Sequence, residues 1–82
     1  MAKTFHLTIA RVGENLFDGE ALSVTVPGAE GVMTVLAGHE AFVSPIKAGT
    51  IRIEDAAGVK SEVVVERNGV IEVSGNQATV IL

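Results

Sequence analysis

Apolar residues return at every second position of this chain. Phe5, Leu7 and Ile9 alternate with His6 and Thr8, and Leu22, Val24 and Val26 alternate with Ser23 and Thr25. Ile51 and Ile53 flank Arg52, Val63 and Val65 flank Val64, and Val70, Ile71 and Val73 surround Glu72. Successive side chains of an extended backbone point to opposite faces, so this spacing describes strands with a buried face. Thr79 to Leu82 reads as a last strand. No segment has the apolar spacing and length of a helix. The apolar supply is dominated by valine, which is stiff at χ1 and packs well on a pleated surface.

Turn signals cut the pattern at short intervals. They are Val12-Gly13-Glu14-Asn15, Asp18-Gly19, Pro27-Gly28, Ala37-Gly38, Ala48-Gly49, Asp55-Ala56-Ala57-Gly58, Asn68-Gly69 and Gly75-Asn76. Asn68-Gly69, between two valine-rich runs, predicts a hairpin. Pro27 and Pro45 cannot donate to a ladder and mark strand ends, edges or bulges. The expected fold is all-β, a flattened sandwich or barrel of about 8–10 short strands. The length suits one domain, residues 1–82, with no internal repeat or linker. Hydrophobic residues make up 48% of it, enough for a packed core, and the only aromatics are phenylalanines.

Composition excludes several function classes. With no cysteine there is no disulfide and no thiolate metal site. The net charge is −4, and Lys3, Arg11, Lys47, Arg52, Lys60 and Arg67 are scattered. Tyr and Trp, two of the usual base-stacking residues, are absent, so nucleic acid is not an expected partner. MAKTFHLTIA is not a signal peptide, and no apolar run is long enough to span a bilayer. The expectation is a soluble, intracellular chain with no direct membrane insertion.

The stretch from Gly28 to Phe42, GAEGVMTVLAGHEAF, has the glycines and histidine of a catalytic or phosphate-binding loop. It lacks the rest of such a site. Gly28-x-x-Gly31 is followed by neither a P-loop lysine nor a helix, so its glycines read as supplying positive φ in a tight connection. His6 and His39 are the only imidazoles. A two-histidine metal site is possible in principle; a strand residue and a loop residue are the plainer reading. Ser23, Ser44, Ser61 and Ser74 lie in no G-x-S-x-G elbow. Glu40 adjoins His39 but would point away from it on a strand. Glu54-Asp55 and Glu62/Glu66 read as solvated faces and turn tips. No catalytic residue, metal or cofactor is expected. A lipoyl- or biotinyl-type carrier would present a lysine at a hairpin tip, with Lys47 and Lys60 as candidates; both read as surface lysines. Val32, Met33, Val35, Leu36, Phe42 and Val43 make the segment around His39 locally apolar, for core closure or for docking.

Several segments, in order, resemble a known family. They are Phe5-x-Leu7, Leu16-Phe17-Asp18-Gly19, Val26-Pro27-Gly28-Ala29-Glu30-Gly31, Val35-Leu36-Ala37-Gly38-His39, Ile46 to Ile53, Gly69-Val70-Ile71-Glu72-Val73 and Asn76 to Leu82. Together they resemble the N-terminal β-sandwich domain of the epsilon subunit of F-type ATP synthases, over the whole chain. Thr34 departs from the family's usual glycine, Ala37 and Ala41 from proline, Asn68 from a second glycine, and Val32 from a frequent carboxylate.

The resemblance implies a flattened sandwich and a non-catalytic rotor subunit of the central stalk. Such a subunit binds the gamma subunit and the c-ring and couples proton transport to ATP synthesis. By position, Glu30, Gly31, Val32, Met33 and Thr34 are expected to face the polar loops of the c-ring. Arg11, Gly38, His39, Phe42, Val43 and Ser44 are expected to face gamma. For Phe42 and Val43, core packing is an equal alternative on alternation grounds. The subunit is present once per complex, peripheral on the cytoplasmic face of the inner (plasma) membrane, and the isolated domain is expected to be monomeric. The family continues past this point into a helical hairpin with inhibitory and, in some bacteria, ATP-binding roles, so those roles are not expected here. The second reading is a free-standing β-sandwich adaptor or a lipoyl- or biotinyl-like carrier domain.

Overall fold

A computed structural model describes residues 3–82 of the chain. It holds eight strands: β1 (Phe5–Arg11), β2 (Glu14–Gly28), β3 (Gly31–Leu36), β4 (Phe42–Ile46), β5 (Gly49–Asp55), β6 (Lys60–Val65), β7 (Gly69–Ser74) and β8 (Gln77–Ile81). The strands are hydrogen-bonded into one sheet folded over itself into two layers.

The fold turns on β2. Its first half pairs with β1 and its second half with β3 on one side and β5 on the other. The first layer runs β2–β1–β8–β7–β4, and the second β3–β2–β5–β6. A single bridge, Gly28 with Ile46, links β2 to β4 at the far edge. β1 and β8 are parallel; every other pair is antiparallel. The strand count falls in the expected range, but β2, at 15 residues, is not short.

Alternation predicts the core well. Phe5, Leu7, Ile9, Val24, Val26, Ile51, Ile53, Ile71, Val73 and Val80 are all buried between the layers. No polar or charged residue is buried among the described residues. An interior of branched aliphatics closely packed between two sheets is stiff.

Two turn predictions are corrected. Asn68-Gly69 is not a hairpin, because β6 pairs with β5 while β7 pairs with β4 and β8. The segment instead crosses from one layer to the other. A Cβ on Gly69 would meet the Ile81 carbonyl oxygen at 2.6 Å, so close packing at the crossing requires this glycine. Asp18-Gly19 is no turn either. Both residues lie inside β2, opposite Thr8 and Leu7. The true hairpin connections include Val12-Gly13, Ala29-Glu30 and Gly75-Asn76. Gly28 also differs from expectation. Gly31 adopts a positive φ of 139° but Gly28 does not. Gly28 is needed for close approach, since a Cβ there would lie 2.5 Å from the Gly31 carbonyl oxygen and 2.9 Å from Met33 Cε.

Candidate functional site

The outer face of the first layer carries rows of side chains set by strand register. One row is apolar. Pro45 stands opposite Val70, Val70 opposite Ile81, and Ile81 opposite Ala10. Val43, two residues from Pro45 on the same face, is 66% exposed, and Ile81 is 48% exposed. The adjoining row runs Val43, Glu72, Thr79, Thr8, Asp18. Branched aliphatics held on an open sheet face form a ready contact surface, here bordered by carboxylates.

Strand alternation divides the expected gamma set. Phe42 and Ser44 turn inward, where Phe42 packs against the core, while Val43 turns outward. His39 is exposed at the end of the sandwich where β1 begins. Its ring stacks on Phe42, with centroids 5.0 Å apart and planes tilted by 55°. Its Nδ1 lies 2.9 Å from the Glu40 carbonyl oxygen. A carbonyl only accepts, so Nδ1–H donates. Gly38 is tied beside it, donating its N–H to Asn76 Oδ1 at 3.0 Å. Arg11 lies at the opposite end, where β1 stops, and pairs with Glu14 at 3.5 Å. The structure therefore does not bring Arg11 together with Gly38 and His39.

The expected c-ring set occupies the β2–β3 hairpin at Arg11's end of the sandwich. Ala29 donates its N–H to the Pro45 carbonyl, and Lys47 donates its own to the Pro27 carbonyl. The tip is thus braced against the β4–β5 connection. Glu30 and Val32 are exposed, and Val32 is 76% accessible. Met33 turns inward against the core. Thr34 faces out, its Oγ1 3.0 Å from Thr25 Oγ1 across the strand pair.

The remaining polar groups do not converge on a reaction centre. His6 bridges two carboxylates across β1 and β2, with Nε2 2.7 Å from Asp18 Oδ1 and Nδ1 3.2 Å from Glu20 Oε2. The hydrogen bonds to Asp18 and Glu20 raise its pKa above the ordinary imidazole value. A groove of about 500 Å³ on the outer face of the second layer is lined by Thr25, Arg52, Glu54, Lys60 and Glu62. Its charges are matched across strands, as in the Arg52–Glu62 pair at 3.2 Å. Among the described residues, no group of three or more His, Cys, Asp or Glu could hold a metal ion. Neither candidate lysine sits at a hairpin tip. β4 and β5 do not pair with each other, so Lys47 lies in a connection between separate ladders, and Lys60 opens β6, paired with Glu54 of β5.

The family model described as the ATP synthase delta/epsilon chain, beta-sandwich domain, matches residues 4–82. The chain belongs to this family. Curated relatives in the family include the ATP synthase epsilon chain of Desulforapulum autotrophicum, 37% identical over 81 residues, spanning 99% of this chain and 59% of the relative. That of Herminiimonas arsenicoxydans is 33% identical over 81 residues, spanning 99% of this chain and 58% of the relative. The chain thus spans less than two thirds of these relatives. Among solved structures, one chain of the Euglena gracilis mitochondrial ATP synthase (OSCP/F1/c-ring, rotational state 1) superposes with a TM-score of 0.87 at 28% identity. The match covers 95% of this chain and 49% of that one. A chain of the Tetrahymena thermophila mitochondrial ATP synthase central stalk and c-ring shares the fold, with a TM-score of 0.76 at 15% identity over 96% of this chain and 63% of that one.

Sequence reasoning missed Ala10, Pro45, Val70 and Ile81 as surface candidates. Their signal was present. Val70-Ile71 and Val80-Ile81 place apolar side chains on both faces of one strand, which a half-solvated sheet does not need.

Proposed function

We propose that this delta/epsilon β-sandwich is a non-catalytic rotor element of the central stalk of an F-type ATP synthase. It docks gamma on the outer face of the first layer and meets the c-ring with the β2–β3 tip. The observation that carries the reading is the apolar row Pro45–Val70–Ile81–Ala10, with Val43 beside it. It is an apolar, solvent-facing contact surface on a stiff scaffold, and no convergent catalytic constellation accompanies it among the described residues. The work of such a part is mechanical. Torque passes through a body that does not deform, held by one surface on the shaft and another on the ring. His39, its ring against Phe42, extends the gamma surface. Arg11, at the other end, falls to the c-ring side or to the rim of the gamma face. Membership of the complex would hold the chain peripherally at the membrane, on its cytoplasmic face.

The test is co-purification with gamma from the same organism and titration calorimetry. Binding at micromolar concentration is expected. Val43→Asp and Ile81→Asp should each weaken it about tenfold or more, because each buries a carboxylate in an apolar contact. Both residues are exposed, so the free domain should stay folded. Failure of gamma to bind would sink the assignment. Unchanged affinity in both variants would remove this face from the interface.

A further inference from the structure

We infer that β3 is a self-association edge, through which two copies of the free chain pair antiparallel about a two-fold axis at Thr34. The proposal concerns the free chain and does not rest on the rotor assignment; it replaces the monomer expected from the resemblance. β3 pairs with β2 alone, so its outer edge offers unpaired backbone groups. Proteins blunt such edges with charges or proline. Each of the other free edges has this protection. The first half of β2 carries Glu14, Asp18 and Glu20, β4 carries Pro45, and β6 carries Lys60 and Glu62. β3 reads Gly-Val-Met-Thr-Val-Leu, with no charge and no proline.

The strand is also complementary to itself. With Thr34 opposite its own copy, Val32 faces Leu36 and Met33 faces Val35. Val32 and Leu36 are 76% and 56% exposed. Both lie on the outer face with Thr34, so the seam gathers four exposed apolar side chains around a central threonine pair. No like charges meet, which matters for a chain of net charge −4. The pairing is isologous and closes on itself, giving dimers and not filaments. It joins the two second layers into one continuous eight-stranded sheet.

Sedimentation velocity of the free chain tests this, from about 10 μM to about 1 mM, a range suited to a seam this small. A concentration-dependent dimer is expected. Thr34→Lys sets two ammonium groups opposite each other about 5 Å apart at Cβ, and should raise the dissociation constant about tenfold or more. Thr34→Glu should do the same. An equimolar mixture of the two variants should restore dimers, because opposite charges then face across the axis. Val32→Lys is a second probe of the seam, and circular dichroism checks the fold of each variant. Val64→Lys, on the β6 edge, should leave association unchanged. A wild-type chain that stays monomeric to about 1 mM overturns the proposal. So does a dimer broken by Val64→Lys, or one unaffected by Thr34→Lys.

Discussion

Asn76 is the only non-glycine described residue with positive φ, at 59°. Its side chain holds two other parts of the chain. Nδ2 donates to the Thr4 carbonyl at 2.9 Å, and Oδ1 accepts from the Gly38 N–H at 3.0 Å. One residue therefore shapes the β7–β8 turn and pins the start of β1 and the β3–β4 loop. Asn76→Gly keeps the backbone conformation and loses the two bonds. Asn76→Ala loses the bonds and adds left-handed strain. The alanine variant should lose about 1–3 kcal/mol in urea unfolding, and the glycine variant less. A smaller loss for alanine would show that the backbone conformation is not what Asn76 supplies. His6 makes a second prediction at this scale. Both ring nitrogens face carboxylates, so the arrangement suits the doubly protonated ring. Its pKa is raised in the folded state. The stabilisation is therefore complete below the unfolded value of about 6.5 and is lost as pH rises through the higher folded value. Urea midpoints measured on either side of that window should fall with rising pH, and His6→Gln should flatten the slope.

At the scale of elements, β2 decides the architecture. It belongs to both layers, and its closing bridge sits where Gly28 faces Ile46. Gly28→Ala forces a methyl group into the Gly31 carbonyl and Met33, and should cost about 1–3 kcal/mol by thermal or urea unfolding. An unchanged midpoint would mean that the hairpin yields without strain. Most strands were legible in the sequence. Phe5-Leu7-Ile9, Val24-Val26 and Ile51-Ile53 alternate as half-buried strands do, and each proved buried as read. The first half of β2 was not legible. Glu14 to Gly19 does not alternate, with Leu16 and Phe17 adjacent, and it contains Asp18-Gly19, a turn pair that pairing with β1 holds extended. Asn68-Gly69 failed the other way, because hairpin chemistry is local and strand partners are chosen by the core. The candidate surface was half legible. Alternation alone splits Phe42 from Val43, but that Val43, Val70 and Ile81 lie together depends on the order of strands, which no single segment contains.

For the whole molecule, the two proposed surfaces occupy different parts of one stiff body. The gamma face is a sheet surface, and the c-ring tip is a hairpin braced by Pro45 and Pro27 carbonyls. They should be separable by substitution. Glu30→Lys at the tip is expected to leave gamma affinity within about twofold while altering attachment to the c-ring, measured by pull-down with c-ring in detergent. Equal damage to both would argue for a single merged interface.

The position of β8 has a consequence for how the chain is made. β8 lies between β1 and β7, in the interior of the first layer. Leu82 donates its N–H to the Ala10 carbonyl, and His6 donates to that of Asn76. The earliest strand thus has to wait for the latest before its sheet is complete. Emerging from a ribosome, residues up to Ser74 can assemble hairpins and much of the second layer. β1 meanwhile holds one edge open, and its pairing comes only with contacts nearly a full chain length apart. Folding is therefore expected to be slow for so small a domain and to finish after translation of the segment, not during it.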